Sequence, residues 1–410
     1  MHMLKTTSEE YIALEERYGA HNYHPLPVVL SKGEGIYVWD VEGKKYFDFL
    51  SAYSAVNQGH CHPRIIQALI DQAQTLTLTS RAFYNNRLGE AEKFVCELFG
   101  YEKALFMNSG AEANETAIKL ARKWGYSVKG IPQNQAVIVA AQRNFHGRTT
   151  GIISASTDPA ARENFGPFMP GYEVIPYDDI DALEQSVRNP DVCAFWVEPI
   201  QGEAGVYVPK PGYLAKASEL CRRHNVLLMV DEIQTGLGRT GKLLASHYEN
   251  VHPDVLILGK ALSGGTYPVS VVLSSDEIML TIKPGEHGST FGGNPLAAAV
   301  TVASLKVLLD EGMIENAFSM GELFRKRLNE IKNLSPLISA VRGKGLLNAI
   351  VIKPTADGRT AWDVCMKFMK NGLLAKPTHG DIIRLAPPLI INEKQLTEAC
   401  DIIEKTILEF

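Results

Sequence analysis

The middle of the chain alternates short, unbroken apolar runs with amphipathic stretches, and this pattern constrains the fold more than any other feature. The runs fall at 104–107, 135–141, 192–197, 226–230 and 255–258. An unbroken apolar run is what a strand buried on both faces looks like, whereas a strand with one wet face alternates. The stretches 111–124 and 212–224 carry helical periodicity. Strands alternating with helices predict βαβ units and a mostly parallel sheet flanked by helices, an α/β fold.

The ends read differently. Residues 35–49 predict a hairpin turning near Glu42-Gly43. A helix is expected from Pro295 to about 309, then further helices, 341–351 among them, and a last one over 393–410. We therefore expect a large domain over 64–309. A smaller α+β lobe is expected from the segments 1–63 and 310–410. A chain of 410 residues buries enough surface to need neither a disulfide nor a metal staple. Its six cysteines are far apart, with no CxxC pair, as in a protein with reduced thiols. With 41 basic against 46 acidic residues the net charge is −5, which argues against a nucleic-acid partner. No apolar stretch is long enough for a membrane span. The acidic N-terminus has no apolar core and no organelle-targeting extension, so a cytoplasmic location is expected.

In open α/β sheets ligands bind beyond the carboxyl ends of the strands. Three runs end in ionisable residues: Glu198, Asp231 and, after Gly259, Lys260. A buried ion pair is one explanation. The other is chemical: a desolvated lysine becomes a nucleophilic amine suited to a Schiff base, and a buried carboxylate can hold a protonated pyridine nitrogen. Those are the two needs of pyridoxal phosphate. Ser109 and Glu112 have capping-box spacing, and Gly110 between them suits a helix N-terminus that seats a phosphate. Gly288-Ser289-Thr290 is a second candidate for that anion. Gly236-Leu-Gly238-Arg-Thr-Gly241 matches the dinucleotide fingerprint, but it does not follow its strand immediately, so a loop near the site is the better reading. His60-Cys61-His62 reads as a loop before Pro63 rather than a metal site, and no metal is expected. The loop residues Tyr23, Tyr53, Phe145 and Arg148 receive no role from spacing alone.

Val230-Asp-Glu-Ile-Gln-Thr-Gly236, Leu258-Gly-Lys260-Ala-Leu-Ser-Gly-Gly265 and Glu198-Pro-Ile-Gln-Gly-Glu-Ala-Gly205 resemble the class III (ω-amino acid) pyridoxal-phosphate aminotransferases of fold type I. Together with the segments 18–27, 54–60, 78–86, 283–290 and 376–388, the likeness extends over essentially the whole chain. Within that family it is greatest to members that act on ornithine. The resemblance implies a pyridoxal 5'-phosphate enzyme, a homodimer with shared sites, that passes the δ-amino group of L-ornithine to 2-oxoglutarate, giving glutamate. It implies that Lys260 is the Schiff-base lysine and proton carrier and that Asp231 pairs with the ring nitrogen. Gln234 would bond the phenolic oxygen and Phe145 would stack on the ring. Gly110 and Ala111 would hold the phosphate with Ser289 and Thr290, Thr290 coming from the other subunit. On the substrate side it implies Arg148 for a carboxylate, Tyr23 for ornithine's α-amine, Tyr53 lining the pocket, and Glu203 with Arg384 as a switchable pair. His146 receives no role. Acetylornithine or 4-aminobutyrate is the alternative amine donor.

Overall fold

The computed structural model describes residues 7–410; the first six, which begin the segment 1–63, lie outside the described residues. Its centre is a seven-stranded sheet. In spatial order the strands are Lys103–Met107, Ser270–Ser274, Val255–Leu258, Leu227–Asp231, Val192–Val197, Val137–Ala141 and Tyr172–Ile175. Ser270–Ser274 runs antiparallel to both neighbours, and every other pairing is parallel. All positions of Val192–Val197, Leu227–Asp231 and Val255–Leu258 are buried, which accounts for their unbroken apolar sequence. Alternation survives as a choice of face. Ala194 and Trp196 pack with the helix Gly110–Trp124, while Phe195 and Val197 pack on the other side with Tyr213–Arg223. Tyr172–Ile175 and Ser270–Ser274 were not expected from sequence. The first is an edge strand with one buried residue, too polar to stand out.

The hairpin expected over 35–49 forms, with Tyr37 opposite Phe47 and Gly43 donating to the Asp40 carbonyl in the turn. It belongs to a sheet that Leu373–Leu374 completes, pairing parallel with Lys45–Asp48. The two ends of the chain therefore share one sheet. A third sheet contains Ile338–Lys344, Leu347–Ile352, Ile382–Leu385 and Lys376–Thr378. Here one expectation fails: 341–351 is no helix but a β-hairpin turning at Gly345, whose φ is +54°. Gly343 and Gly345 weaken a helix at that point, and the buried run Leu347–Ile352 is a central strand. Among the described residues no helix is long and apolar enough to cross a membrane. His60 and His62 turn to different carboxylates, Asp48 at 2.7 Å and Glu311 at 3.1 Å.

The helix Met313–Leu334 lies so close to the hairpin that a Cβ on Gly321 would stand 2.1 Å from the Gly345 carbonyl oxygen. Glycine to alanine in a helix interior is ordinarily stabilising by up to about 1 kcal/mol. At Gly321 we expect the opposite sign, a loss of about 1–3 kcal/mol from overpacking. Denaturant midpoints of Gly321→Ala and the parent protein check this; a neutral or stabilised variant would contradict the close packing.

Candidate active site

Three adjacent parallel strands deliver the ionisable groups. Val192–Val197, Leu227–Asp231 and Val255–Leu258 lie side by side, so Glu198, Asp231 and Lys260 meet at one edge of the sheet. All three line a cavity of about 190 Å³ with Ala111, Phe145 and Gln234. Lys260 also lines a second cavity of about 350 Å³, and Gly110 is common to both. Burial lowers the Lys260 pKa, with Glu203 and Asp231 opposing and Arg384 assisting. Burial and the charge of Asp231 push the Glu198 carboxyl well above the usual carboxylate range, with the Phe145 N–H and Lys260 opposing. Glu198 accepts the Phe145 N–H at 3.0 Å and so anchors the loop that carries Phe145.

Asp231 is held by more partners than its sequence context suggested. Its Oδ1 accepts from the Ile233 N–H at 3.0 Å. Its Oδ2 accepts from Asn114 Nδ2 at 2.9 Å and from His146 Nδ1 at 2.7 Å. His146 stacks on Trp196 with ring centroids 3.8 Å apart, and Trp196 Nε1 donates to Asn114 Oδ1 at 3.0 Å. His146, given no role from sequence, thus has one as a support of Asp231. Its place directly after Phe145 was the one available signal. His146 Nε2 is buried without a partner.

The phosphate seat follows from an accounting of N–H groups. Ser109 caps the helix Gly110–Trp124. Glu112 reaches back to the Asn108 and Ser109 N–H groups at 3.0 and 2.8 Å. The Glu112 N–H donates to Ser109 Oγ at 3.2 Å and the Ala113 N–H to the Ser109 carbonyl at 3.1 Å. That leaves the Gly110 and Ala111 N–H groups for an anion at the positive end of the helix dipole. A Cβ at the first position would lie 2.9 Å from the tip of Ile233, so glycine lets the backbone approach there without moving that side chain. Ser289 stands nearby, accepting from Asn108 Nδ2 at 2.8 Å. Thr290 is exposed and lines neither cavity.

On the substrate side, Glu203 and Arg384 form an ion pair at the cavity, and Gln234 joins it. Gln234 Nε2 donates to Glu203 Oε1 at 2.7 Å, so at least one amide N–H faces the pair. Burial raises the Glu203 pKa, but Arg384 and Lys260 outweigh it and hold the carboxyl at about 2. Arg384 Nε is buried and unpartnered, leaving a donor for an incoming carboxylate. Tyr53 lies 5.1 Å from the Arg384 guanidinium, and burial raises its pKa. It sits in a left-handed turn: Ser51, Ala52, Tyr53 and Ser54 all have φ between +46° and +70°. Asp48 Oδ1 holds the entry by accepting the Leu50 and Ser51 N–H groups, both at 2.9 Å. Arg148 is exposed, 5.8 Å from the Phe145 ring. Tyr23 is 69% exposed on the N-terminal segment, its ring 5.9 Å from the Lys376 ammonium.

An anion seat with two open N–H groups, a braced carboxylate and a desolvated lysine facing one cavity fit pyridoxal 5'-phosphate. His146 and Asn114 fix the carboxylate that would face the ring nitrogen. Among the described residues no cluster could hold a metal ion.

The class-III aminotransferase family model matches residues 18–407. The mitochondrial ornithine aminotransferase of Drosophila melanogaster is 64% identical over 401 residues, covering 98% of this chain and 92% of that one. The crystal structure of the ornithine aminotransferase of Toxoplasma gondii, with partial occupancy of PLP at its active site, superposes with a TM-score of 0.97. It is 51% identical, covering 98% of this chain and 95% of that one. An acetylornithine aminotransferase from Elizabethkingia anophelis is 59% identical with a TM-score of 0.90, covering 98% and 99%. The mitochondrial name of the fly relative overturns the expected cytoplasmic location. That expectation took the start of the chain for an address, which the first residues do not decide.

Lysine burial has a measurable consequence. An amine whose pKa is lowered on folding binds its proton more tightly in the unfolded chain, so stability rises with pH up to the unfolded value near 10.5. In cofactor-free protein, Lys260→Met should therefore raise stability at pH 7 by about 1 kcal/mol. The gain should shrink toward pH 10. Thermal midpoints of both cofactor-free proteins at the two pH values check this, and a less stable variant at pH 7 would contradict it.

Proposed function

Because the chain belongs to the class-III aminotransferases, we propose that it moves the δ-amino group of L-ornithine to 2-oxoglutarate. The products are glutamate 5-semialdehyde, which cyclises to pyrroline-5-carboxylate, and glutamate. The observation that carries this reading is the Glu203–Arg384 pair beside Lys260, with Tyr53 against the guanidinium. Pyridoxal phosphate, when bound, supplies an aldehyde for the Lys260 amine and a protonated ring that withdraws electrons from the reacting carbon. Lys260 carries the proton to and from that carbon, its low pKa leaving the amine able to accept it. Asp231 would face and keep protonated the ring nitrogen, Phe145 would lie against the ring, and the Gly110 and Ala111 amides would hold the phosphate.

The two substrates pose opposite demands. Ornithine reacts at its δ-amine with its α-amino and α-carboxylate groups remote, whereas glutamate reacts with a carboxylate beside the reacting carbon. Arg384 left open would draw ornithine in by its α-carboxylate, the wrong way round. Glu203 neutralises it during the ornithine half-reaction and turns away when 2-oxoglutarate arrives. Arg148 takes ornithine's α-carboxylate or the far carboxylate of 2-oxoglutarate, since the guanidinium fork grips carboxylates bidentately. Tyr23 meets the free α-amine of ornithine. Thr290, which lines neither cavity of its own chain, reaches the phosphate of a second copy in a homodimer. The pairing of Leu373 with Phe47 supports reading 1–63 and 310–410 as one lobe against the body 64–309.

Incubation with ornithine and 2-oxoglutarate, with the cyclised product trapped, tests the activity. Higher kcat/KM on N-acetylornithine or 4-aminobutyrate would overturn the choice of donor. Two variants test the switch in single-turnover half-reactions. Glu203→Ala should keep or speed the glutamate half-reaction and let ornithine react at its α-amine. Arg384→Ala should slow the glutamate half-reaction about 100-fold more than the ornithine one. Equal losses in both, with only the semialdehyde formed, would leave a static ion pair. The dimer is tested by mixing Lys260→Ala with Thr290→Ala subunits. Mixed dimers should regain activity, because one site then carries both lesions and the other neither. No recovery after verified exchange would place Thr290 within its own site.

A further inference from the structure

Arg239, inside the glycine-rich loop that mimics a dinucleotide fingerprint, is 0% exposed and lines neither cavity. Its burial is unusual because its hydrogen bonds go to neutral acceptors. Nε and Nη2 both donate to Asn57 Oδ1, at 3.2 and 2.6 Å. Nη1 donates to the Leu346 carbonyl at 3.1 Å and to the Pro387 carbonyl at 2.6 Å. A charge taken out of water without a counter-ion is costly, and one fully engaged in hydrogen bonds is retained where its geometry is needed.

Of the three segments it reaches, two carry substrate residues, and the third, at Leu346, is the turn of the 338–352 hairpin. Asn57 follows the left-handed turn of Tyr53, Pro387 follows the strand bearing Arg384, and Arg239 follows Gln234 on its own loop. Further bonds close the junction. Asn57 Nδ2 donates to the Leu237 carbonyl at 3.0 Å, and the Leu389 N–H donates to the Asn57 carbonyl at 2.8 Å. Ser51 Oγ donates to the Ala386 carbonyl at 2.8 Å. The planar fork is what lets one side chain reach all three segments; a lysine ammonium offers its donors from a single point.

We infer that Arg239 is a positioning residue: its guanidinium sets the segments carrying Tyr53 and Arg384 in register with the loop carrying Gln234, so that the grip on the substrate carboxylate depends on it. The inference rests on the reading of Arg384 as that grip. Displacing a substrate-orienting group by about 1 Å costs on the order of 100-fold in rate.

The test uses cofactor-loaded Arg239→Lys, which keeps the charge and loses the fork. In single-turnover assays the 2-oxoglutarate half-reaction should lose about 10- to 100-fold in kcat/KM, through KM, with the ornithine half-reaction losing less. Cofactor affinity, followed by absorbance titration, should stay unchanged. Equal losses in both half-reactions, or a lower melting temperature with neither changed, would overturn the inference and leave a structural tie. If Arg239→Lys yields no folded protein, Asn57→Ala carries the same expectation and the same overturning result, since it removes the shared acceptor and keeps the guanidinium. Arg384→Ala separates the two ideas. Asymmetry there with symmetry in Arg239→Lys overturns the positioning role alone, and symmetry in both overturns the reading of Arg384 as well.

Discussion

Desolvation of charge at the carboxyl edge of the sheet governs the rest of this molecule. Three parallel strands buried on both faces end side by side, and each leads to an ionisable group that is itself buried at the lining of one cavity. In that setting unpartnered charge is expensive, so each group is answered by a neighbour or loses its charge. Asp231 is answered by His146, Asn114 and a backbone amide. Glu203 is answered by Arg384, and Glu198, its carboxyl pushed upward by burial, by the Phe145 N–H. Lys260 is left with a weakened hold on its proton, the condition under which an amine attacks a carbonyl.

The loop after Asp231 shows how the supports are built. Glu232 turns away from the cavity and accepts from Thr235, Ala245 and Ser246, closing the loop on itself. The loop is thereby stiff enough to present Gln234 on one side and Arg239 on the other. Its glycines serve packing: Gly238 and Gly241 adopt φ near +85°, and a Cβ on Gly241 would lie 2.9 Å from the Phe318 backbone. The resemblance to a dinucleotide motif therefore comes from a shared need for close approach, with helix and hairpin in place of a ligand.

Much of the central sheet and the three strand-end groups were legible because their signal is local: an apolar run and the residue that ends it. Arg384, Tyr53 and Glu203 carried no local signal and entered only through likeness to a family. His146 and Arg239 escaped both routes. His146 acts through Asp231, 85 positions away, and Arg239 through Asn57, Leu346 and Pro387, the last 148 positions away. Periodicity cannot see partners at such separations. The misreading of 341–351 as a helix has a different cause. Short apolar runs are ambiguous between helix and strand, and here only the glycines at 343 and 345 distinguish the two.

The parallel pairing of Leu373–Leu374 with Lys45–Asp48 has a consequence in time. During synthesis the first strands emerge long before the segment that completes their sheet, and domains close as their last partners leave the ribosome. The seven strands around Lys260 all lie before residue 275 and can assemble while the tail is still being made. The turn that holds Tyr53, the arginine at 384 and the tie between them come together last. In a nascent chain the strands that carry Asp231 and Lys260 are thus made long before Arg384 and the segments that Arg239 ties to it.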